Sequence, residues 1–306
     1  MGEAVVFEEV VKRYKGVYAL RKASFRVPEG RLVGLIGPNG AGKTTSIKIV
    51  LGALKPDEGV VSVLGMDPWE EGDRVRKHIG FLPEKPIYPK HVKVYDLLKF
   101  VARLRGASRG DIERIARLAG IQKYLYSRVW ALSRGYLQRL GLALAFLGDP
   151  DLLLLDEPTA NLDPGARMEV LDLIKTFQED LGATAIVSSH ILPELERIID
   201  YVVFINKGRI EDYGDLKYLA EKYRGVVAYT VRSPKPSIVA REIAANVPIR
   251  GLRVDSESVL VEVESSAALS LENFLQNLAA RGLVAGYEAR GGGLEEFYKK
   301  ITGGES

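Results

Sequence analysis

Apolar and polar positions divide the chain into three stretches of different rhythm. The first opens with strand-like runs, Ala4 to Val11 and Ser24 to Val27, and then alternates short apolar runs with helical periodicity. Leu32 to Ile36 reads as a buried strand, a glycine-rich loop follows, Thr44 to Leu54 reads as a helix and Val60 to Leu64 as a strand. The pattern returns with the strand Leu152 to Leu155, a helix from Pro164 to Leu181, the strand Ala183 to Val187, a helix near Ile191 to Ile199 and the strand Tyr201 to Ile205. Short apolar strands joined by amphipathic helices are the pattern of a parallel sheet covered on both faces, so the expected class is α/β.

Between Lys90 and Gly148 the strand signal disappears and apolar residues recur at helical spacing: Val94, Leu97, Leu98, Val101, then Ile112, Ile115, Leu118. Periodicity alone fits equally a set of helices facing the main core and a helical insertion; the expectation is a helical subdomain at about residues 85–148, inserted in an α/β domain covering residues 1–221. After Tyr223 the order becomes strand Val226 to Val231, helix Ser237 to Ala245, strands Gly251 to Val254 and Ser258 to Val263, helix Ala267 to Arg281 and strand Leu283 to Glu288. That β-α-β-β-α-β succession predicts a small ferredoxin-like α+β domain over residues 222–306. It closes with Gly291-Gly292-Gly293 and a short helix from Leu294 to Ile301.

Composition narrows the chemistry. With 306 residues the chain holds about two domains, taking roughly 150 residues for each. It has no cysteine, which excludes disulfides, thiolate metal sites and a cysteine nucleophile. Its 46% hydrophobic and 27% charged residues are those of an ordinary globular protein. The longest uncharged apolar run, Leu140 to Gly148, is far short of the roughly 20 residues that cross a bilayer. The net charge of +3 is spread evenly, with 31 Lys+Arg against 29 Asp+Glu in residues 1–215 and 12 against 11 in residues 216–306. No basic block points to nucleic acid. The start of the chain carries Glu3, Glu8 and Glu9 and no basic n-region, so a cytoplasmic address is expected.

The strongest local signal is Gly37-Pro38-Asn39-Gly40-Ala41-Gly42-Lys43-Thr44, which matches G-x-x-x-x-G-K-[ST] between a predicted strand and a predicted helix. Glycines let the backbone curl so that its N–H groups converge on phosphate oxygens, and the helix N-terminus adds its dipole. Lys43 is placed to reach the β- and γ-phosphates, and Thr44 to offer its hydroxyl to Mg²⁺. Farther on, Leu152-Leu153-Leu154-Leu155-Asp156-Glu157 puts two carboxylates at the C-terminal end of a buried strand, where open α/β sheets hold their ligands. Asp156 suits orientation of Mg²⁺ and its waters, and Glu157 suits polarising the water that attacks the γ-phosphate.

With these residues in place the chain resembles the ATP-binding-cassette (ABC) family of ATPases over residues 1 to about 215. Further stretches match that family in order: Leu132-Ser133-Arg134-Gly135-Tyr136 with Gln138-Arg139 resembles the signature, Asn161-Leu162-Asp163 the D-loop and Ser188-Ser189-His190 the switch-histidine segment. The resemblance implies a P-loop core with N-terminal antiparallel strands. It implies ATP held by Tyr14 as adenine platform and by Gly37, Pro38, Asn39, Gly40, Ala41, Gly42, Lys43, Thr44 and Thr45. It implies Mg²⁺ held by Thr44, Glu84 and Asp156, and catalysis by Glu157, His190 and Lys43. Ser133 and Gly135 would then contact the nucleotide of a second ATPase subunit, with Asp163 at the dimer interface, and the pair would be a homodimer or a heterodimer.

Three departures stand out. Glu84, in Leu82-Pro83-Glu84, occupies the usual Q-loop glutamine position, and Arg134 and Tyr136 replace a glycine and a glutamine of the signature. Glutamate still offers an oxygen to Mg²⁺ but brings a charge and cannot donate as an amide does. The Leu-Pro-Glu context and the ending Leu294-Glu295-Glu296-Phe297-Tyr298 to Thr302-Gly303 look like the ATPase subunits of exporters of drugs, lipids or polymers. Such subunits sit on the cytoplasmic face of the membrane beside a separate integral-membrane permease. The segment Lys85 to Phe100, with Tyr88 and Tyr95, is the candidate docking groove, unless those rings serve the subdomain's own core. The alternative is an ABC ATPase acting on ribosomes or DNA. A GTPase fits less well, since Asn206-Lys207-Gly208-Arg209 places arginine where N-K-x-D needs its carboxylate.

Overall fold

The computed structural model describes residues 2–223, 225–290 and 293–302. The chain divides into two compact units, Met1–Leu216 and Lys217–Ser306. The division falls inside a short helix rather than after residue 221, because Leu216 still donates its N–H to Asp200 O at 3.0 Å and so belongs to the first unit. Gly291, Gly292 and Gly303 lie outside the described residues.

In the first unit β1 (Glu3–Tyr14) and β2 (Val17–Pro28) form an antiparallel pair. Then come β3 (Leu32–Ile36), α1 (Lys43–Val50), β4 (Glu58–Val63), α2 (Gly72–Val75) and β5 (Ile79–Leu82). The helical stretch supplies α3 (Val94–Arg105), α4 (Arg109–Leu118) and α5 (Arg134–Phe146). Next are β6 (Leu152–Leu155), α6 (Pro164–Leu181), β7 (Thr184–Ser189), α7 (Leu192–Leu195), β8 (Tyr201–Asn206) and β9 (Arg209–Asp215), and α8 (Leu216–Lys222) crosses the division.

Strands β2-β1-β4 make a three-stranded antiparallel sheet, with Phe7 and Phe25 stacked at 4.5 Å on its buried face. β1 and β2 run longer than their apolar patterns suggest. Irregularities with positive φ at Glu9 (52°) and Lys22 (52°) shift the register and break the alternation a sequence reader follows. The main sheet has the order β5-β6-β7-β3-β8-β9 and is parallel except for β9. Leu152 to Leu155 are wholly buried, as a central parallel strand requires. Its central position puts the C-terminal ends of β3, β7 and β6 side by side.

Local chemistry sets several boundaries. Helix α1 stops at Val50, short of the expected Leu54, because Gly52 adopts φ +65° and a Cβ there would lie 1.9 Å from Pro68 O. Helix α6 runs from Asp163, whose carboxylate accepts the Ala166 N–H at 3.0 Å, through Pro164 at N1 to Gly182 at φ 62°. Helix α7 has only four residues, and Ile198 and Ile199 turn back on the Leu195 carbonyl instead of extending it. α5 lies close on β5: a Cβ at Gly80 would sit 2.0 Å from Ala145 O, so only glycine permits this approach. Phe146 stacks on Phe177 of α6 at 4.1 Å. Tyr88 serves the interior of the helical stretch, since its hydroxyl stands 2.5 Å from where a Cβ of Gly141 would be, and burial raises its pKa above the ordinary phenol value. Tyr95 stacks on Tyr126 at 6.0 Å.

The second unit has β10 (Val226–Arg232), α9 (Pro236–Asn246), β11 (Gly251–Val254), β12 (Ser258–Glu264), α10 (Ser265–Ala280), β13 (Gly286–Arg290) and α11 (Leu294–Thr302). Its antiparallel sheet has the order β11-β12-β10-β13, the split-βαβ arrangement. Val231, Val259, Val261 and Val263 pack with Val239, Ile243, Leu271, Leu275 and Leu278 of the two helices to form a separate core.

Candidate nucleotide site

The loop between β3 and α1 is built by glycine. Gly40 and Gly42 adopt φ 78° and 114°, a region side chains strain to enter, and a Cβ at Gly37 would lie 2.2 Å from Ile205 O. Backbone bonds from Gly37 N to Ser189 O (3.2 Å) and from Ala41 N to Pro38 O (3.1 Å) hold the curl against β7. Lys43 begins α1 and is buried, and its Nζ donates to Gly37 O at 2.6 Å and Pro38 O at 3.2 Å.

The neighbouring strand end supplies the carboxylates. Asp156 is 3% exposed, and its Oδ1 accepts from Ser188 Oγ at 2.7 Å. The same Oγ accepts the N–H of Glu157 at 2.9 Å, so one hydroxyl of β7 fixes both acidic residues. Glu157 has φ 48°, a left-handed conformation uncommon for a non-glycine residue and characteristic of functional sites. Its Oε1 lies 3.1 Å from Lys43 Nζ in an ion pair outside hydrogen-bond geometry and, although buried, accepts no hydrogen bond among the described residues. Its Oε2 lies 3.0 Å from His190 Nδ1. One carboxylate therefore stands between the lysine of the phosphate loop and the histidine after β7.

Lys43, Glu157 and His190 border a cavity of about 660 Å³, within the usual range for a small-molecule site, while Asp156 and Ser188 are not part of its lining. Asn39, Gly40, Ala41, Gly42, Lys43, Thr44 and Thr45 line one side with Ala19 and Glu84, and Glu157, Thr159, Ala160, Asn161, Arg167, His190 and Ile191 line the other. Gly37 and Pro38 sit behind the loop as acceptors for Lys43. Tyr14 is 46% exposed near the tip of the β1–β2 hairpin and is not part of the lining; Ala19, from the same hairpin, is. Ser133 caps α5 by accepting the Tyr136 N–H at 3.5 Å, and a Cβ at Gly135 would meet nothing within 4 Å among the described residues. Neither borders this chain's own cavity, and nor does Asp163, the α6 cap.

Sequence reading passed over Thr159, Arg167 and Ile191 as site residues, and named Asn161 only as part of the D-loop stretch. The signal for Arg167 was its place four residues after the cap Asp163, one helical turn on and on the same side of α6. It also missed the grip of α5 on the loop after Glu157, where Gln138 Nε2 donates to Pro158 O at 2.6 Å and Arg134 Nη1 to Asn161 O at 2.9 Å.

The oxygen donors suit magnesium. Thr44 and Glu84 offer a hydroxyl and a carboxylate at the cavity, with the buried Asp156 behind them. Among the described residues no group of three or more His, Cys, Asp and Glu converges into an all-protein metal cage. Mg²⁺ is ordinarily held by one or two side chains together with substrate phosphates, and this donor set fits that habit. Among the described residues no helix is long and apolar enough to cross a membrane.

Comparison with known proteins agrees with this geometry. Residues 20–160, from the β1–β2 hairpin to just beyond Glu157, match the family described as ABC transporter. The chain is 31% identical to the uncharacterized ABC transporter ATP-binding protein YxlF of Bacillus subtilis (strain 168), over 96% of this chain and 98% of that protein. It is also 31% identical to Nod factor export ATP-binding protein I of Burkholderia orbicola (strain AU 1054), over 98% and 97%. Among solved structures it is similar to cbiO1 from Clostridium perfringens, part of the ABC transporter complex cbiONQ, with 26% identity, a TM-score of 0.65, and coverage of 72% of this chain and 92% of that one. With a phosphate loop, Glu157 and His190 around one cavity, the buried Asp156 beside them, and full-length relatives at this identity, the chain belongs to the ABC transporter family as one of its ATP-binding, ATP-hydrolysing subunits.

Proposed function

We propose that this subunit hydrolyses ATP to power export, working as one of two ATPase subunits on the cytoplasmic face of a membrane beside a separate integral-membrane permease. The observation that carries the catalytic reading is Glu157, held in a left-handed conformation between Lys43 and His190 at the cavity wall. Export is supported by the full-length relative named for Nod factor export.

Phosphate entering the loop offers Lys43 stronger, charged acceptors than the carbonyls of Gly37 and Pro38. Lys43 then turns to the phosphate oxygens, and Oε1 of Glu157 is left to take a proton from the attacking water. His190 donates from Nδ1 to Oε2, which fixes the carboxylate plane and sets the histidine tautomer. Ser188 holds the Glu157 backbone while the proton moves. When bound, Mg²⁺ would be held by Thr44, Asp156 and Glu84 and would neutralise charge on the β- and γ-phosphates. In phosphoryl transfer positioning and charge stabilisation supply most of the rate, and these contacts provide both. Tyr14 offers its exposed ring to the adenine, and base stacking contributes about 1–3 kcal/mol.

Ser133 and Gly135 are assigned to the second subunit's nucleotide and Asp163 to the dimer interface, in keeping with their positions outside this chain's cavity. Two ATP molecules then favour the closed pair and hydrolysis releases it, a shift set by different affinities for two states. Purification from detergent-solubilised membranes tests the assembly: recovery with a multi-span membrane protein is expected, and recovery with ribosomes or DNA alone would overturn it.

A further inference from the structure

Arg167 stands at the cavity and belongs to none of the motifs above. Its Nε donates to Leu162 O at 2.9 Å, in the loop that leads away from Glu157. Its Nη1 donates to Glu194 Oε1 at 2.7 Å, and Glu194 lies in α7, four residues after His190. The pair is largely shielded, with side-chain exposures of 29% and 19%. The other oxygen, Glu194 Oε2, is buried with no hydrogen-bond partner among the described residues.

The contacts close a ring. Glu157 leads through its loop to Leu162 O, Leu162 O is held by Arg167, Arg167 holds Glu194, and α7 leads back to His190, whose Nδ1 meets Glu157 Oε2 at 3.0 Å. Gln138 and Arg134 of α5 hold the loop on one side, at Pro158 O (2.6 Å) and Asn161 O (2.9 Å), and Arg167 ties it on the other side to α7 through Glu194. We infer that Arg167 is a positioning residue for hydrolysis, and that its planar fork, bound to Leu162 O and Glu194 together, keeps the His190 segment in register with the Glu157 loop. The inference rests on Glu157 being the base. Guanidinium suits the task because its donors lie on separate nitrogens fixed in one plane, whereas an ammonium offers all its donors from one atom on a flexible stem.

The test uses the full chain with magnesium and ATP, measuring kcat, KM and nucleotide affinity for Arg167→Met, Arg167→Lys, Glu194→Gln and the double variant Arg167→Met/Glu194→Gln. Arg167→Met is expected to lower kcat about tenfold or more, since small misplacements of reacting groups are expensive, with ATP affinity within about twofold of wild type. Arg167→Lys should recover part of the loss. The double variant should be no slower than Arg167→Met, because the two residues act as one unit. Unchanged kcat in Arg167→Met, additive losses in the double variant, or a loss of ATP affinity matching the loss of rate would each overturn the inference, the last by placing Arg167 on the nucleotide itself. Should Arg167→Met fail to fold, the near-isosteric Glu194→Gln decides alone: lowered kcat at unchanged affinity supports the ring, and wild-type kcat overturns it. Full turnover by Glu157→Gln would remove the base and the ring together, whereas inert Glu157→Gln with wild-type Arg167→Met would remove the ring only.

Discussion

Ser188→Ala removes one oxygen from the centre of the site. That oxygen is fully buried, donates to Asp156 Oδ1 at 2.7 Å and accepts the Glu157 N–H at 2.9 Å. The bond to the carboxylate is worth about 1.5–3 kcal/mol and the bond from the backbone about 0.5–1.5 kcal/mol. Alanine also leaves both partners buried without replacement. The expected destabilisation is about 2–4 kcal/mol, a large part of the roughly 5–15 kcal/mol that holds a typical domain folded. Urea unfolding followed by tryptophan fluorescence measures it on the right part of the chain, since both tryptophans, Trp69 and Trp130, lie in residues 1–216. Thr176→Ala is the control: its hydroxyl donates to Asp172 O on an exposed helix face, and its loss should change stability by less than about 0.5 kcal/mol. A double-mutant cycle with Asp156→Asn separates the carboxylate bond from the backbone bond. If Ser188→Ala were no more costly than Thr176→Ala, the hydroxyl would not be the brace described.

Lys43→Ala should weaken ATP binding about 10–100-fold in titration calorimetry, the value of one charged hydrogen bond, and undiminished affinity would contradict its assigned role. Gly80→Ala should destabilise the first unit by about 2–3 kcal/mol in thermal unfolding, because the added carbon would meet the Ala145 carbonyl at 2.0 Å and helix α5 must shift. Asp57 accepts from Lys12 Nζ at 2.7 Å and from the Arg13 N–H at 2.7 Å, and these bonds hold its pKa below the ordinary 3.8. A lowered pKa adds stability that is present above the unfolded value and lost as pH falls through the folded one. Urea midpoints of wild type and Asp57→Asn should therefore differ at pH 7 and converge as pH drops below 3.8, with a gap of only about 0.5 kcal/mol because the Asp57 carboxylate is exposed to solvent.

What could be read from sequence was whatever chemistry writes locally. The loop Gly37 to Thr44 needs glycines at positive φ, and helix α6 carries its own start and stop in Asp163, Pro164 and Gly182. The all-leucine strand β6 could hardly sit anywhere but inside a sheet. Strand β9 stayed hidden because Arg209, Glu211, Asp212 and Asp215 give an edge strand no apolar alternation, and its pairing with β8 comes from tertiary context. The extent of α7 was overread because Ile198 and Ile199 keep helical spacing while the backbone turns away. Arg167 and Glu194 were missed for a different reason: they lie 27 residues apart, and nothing in either local sequence announces the other. The notion of a docking groove ran into Tyr88, whose hydroxyl faces inward toward Gly141.

The most direct measurement is of Glu157→Gln with ATP and Mg²⁺, following phosphate release alongside mass by light scattering. A base at Glu157 and a site shared between two subunits require a variant that binds ATP, releases no phosphate and persists as a dimer of 33.7 kDa chains. A variant that hydrolyses ATP at the wild-type rate, or stays monomeric with ATP bound, would contradict them.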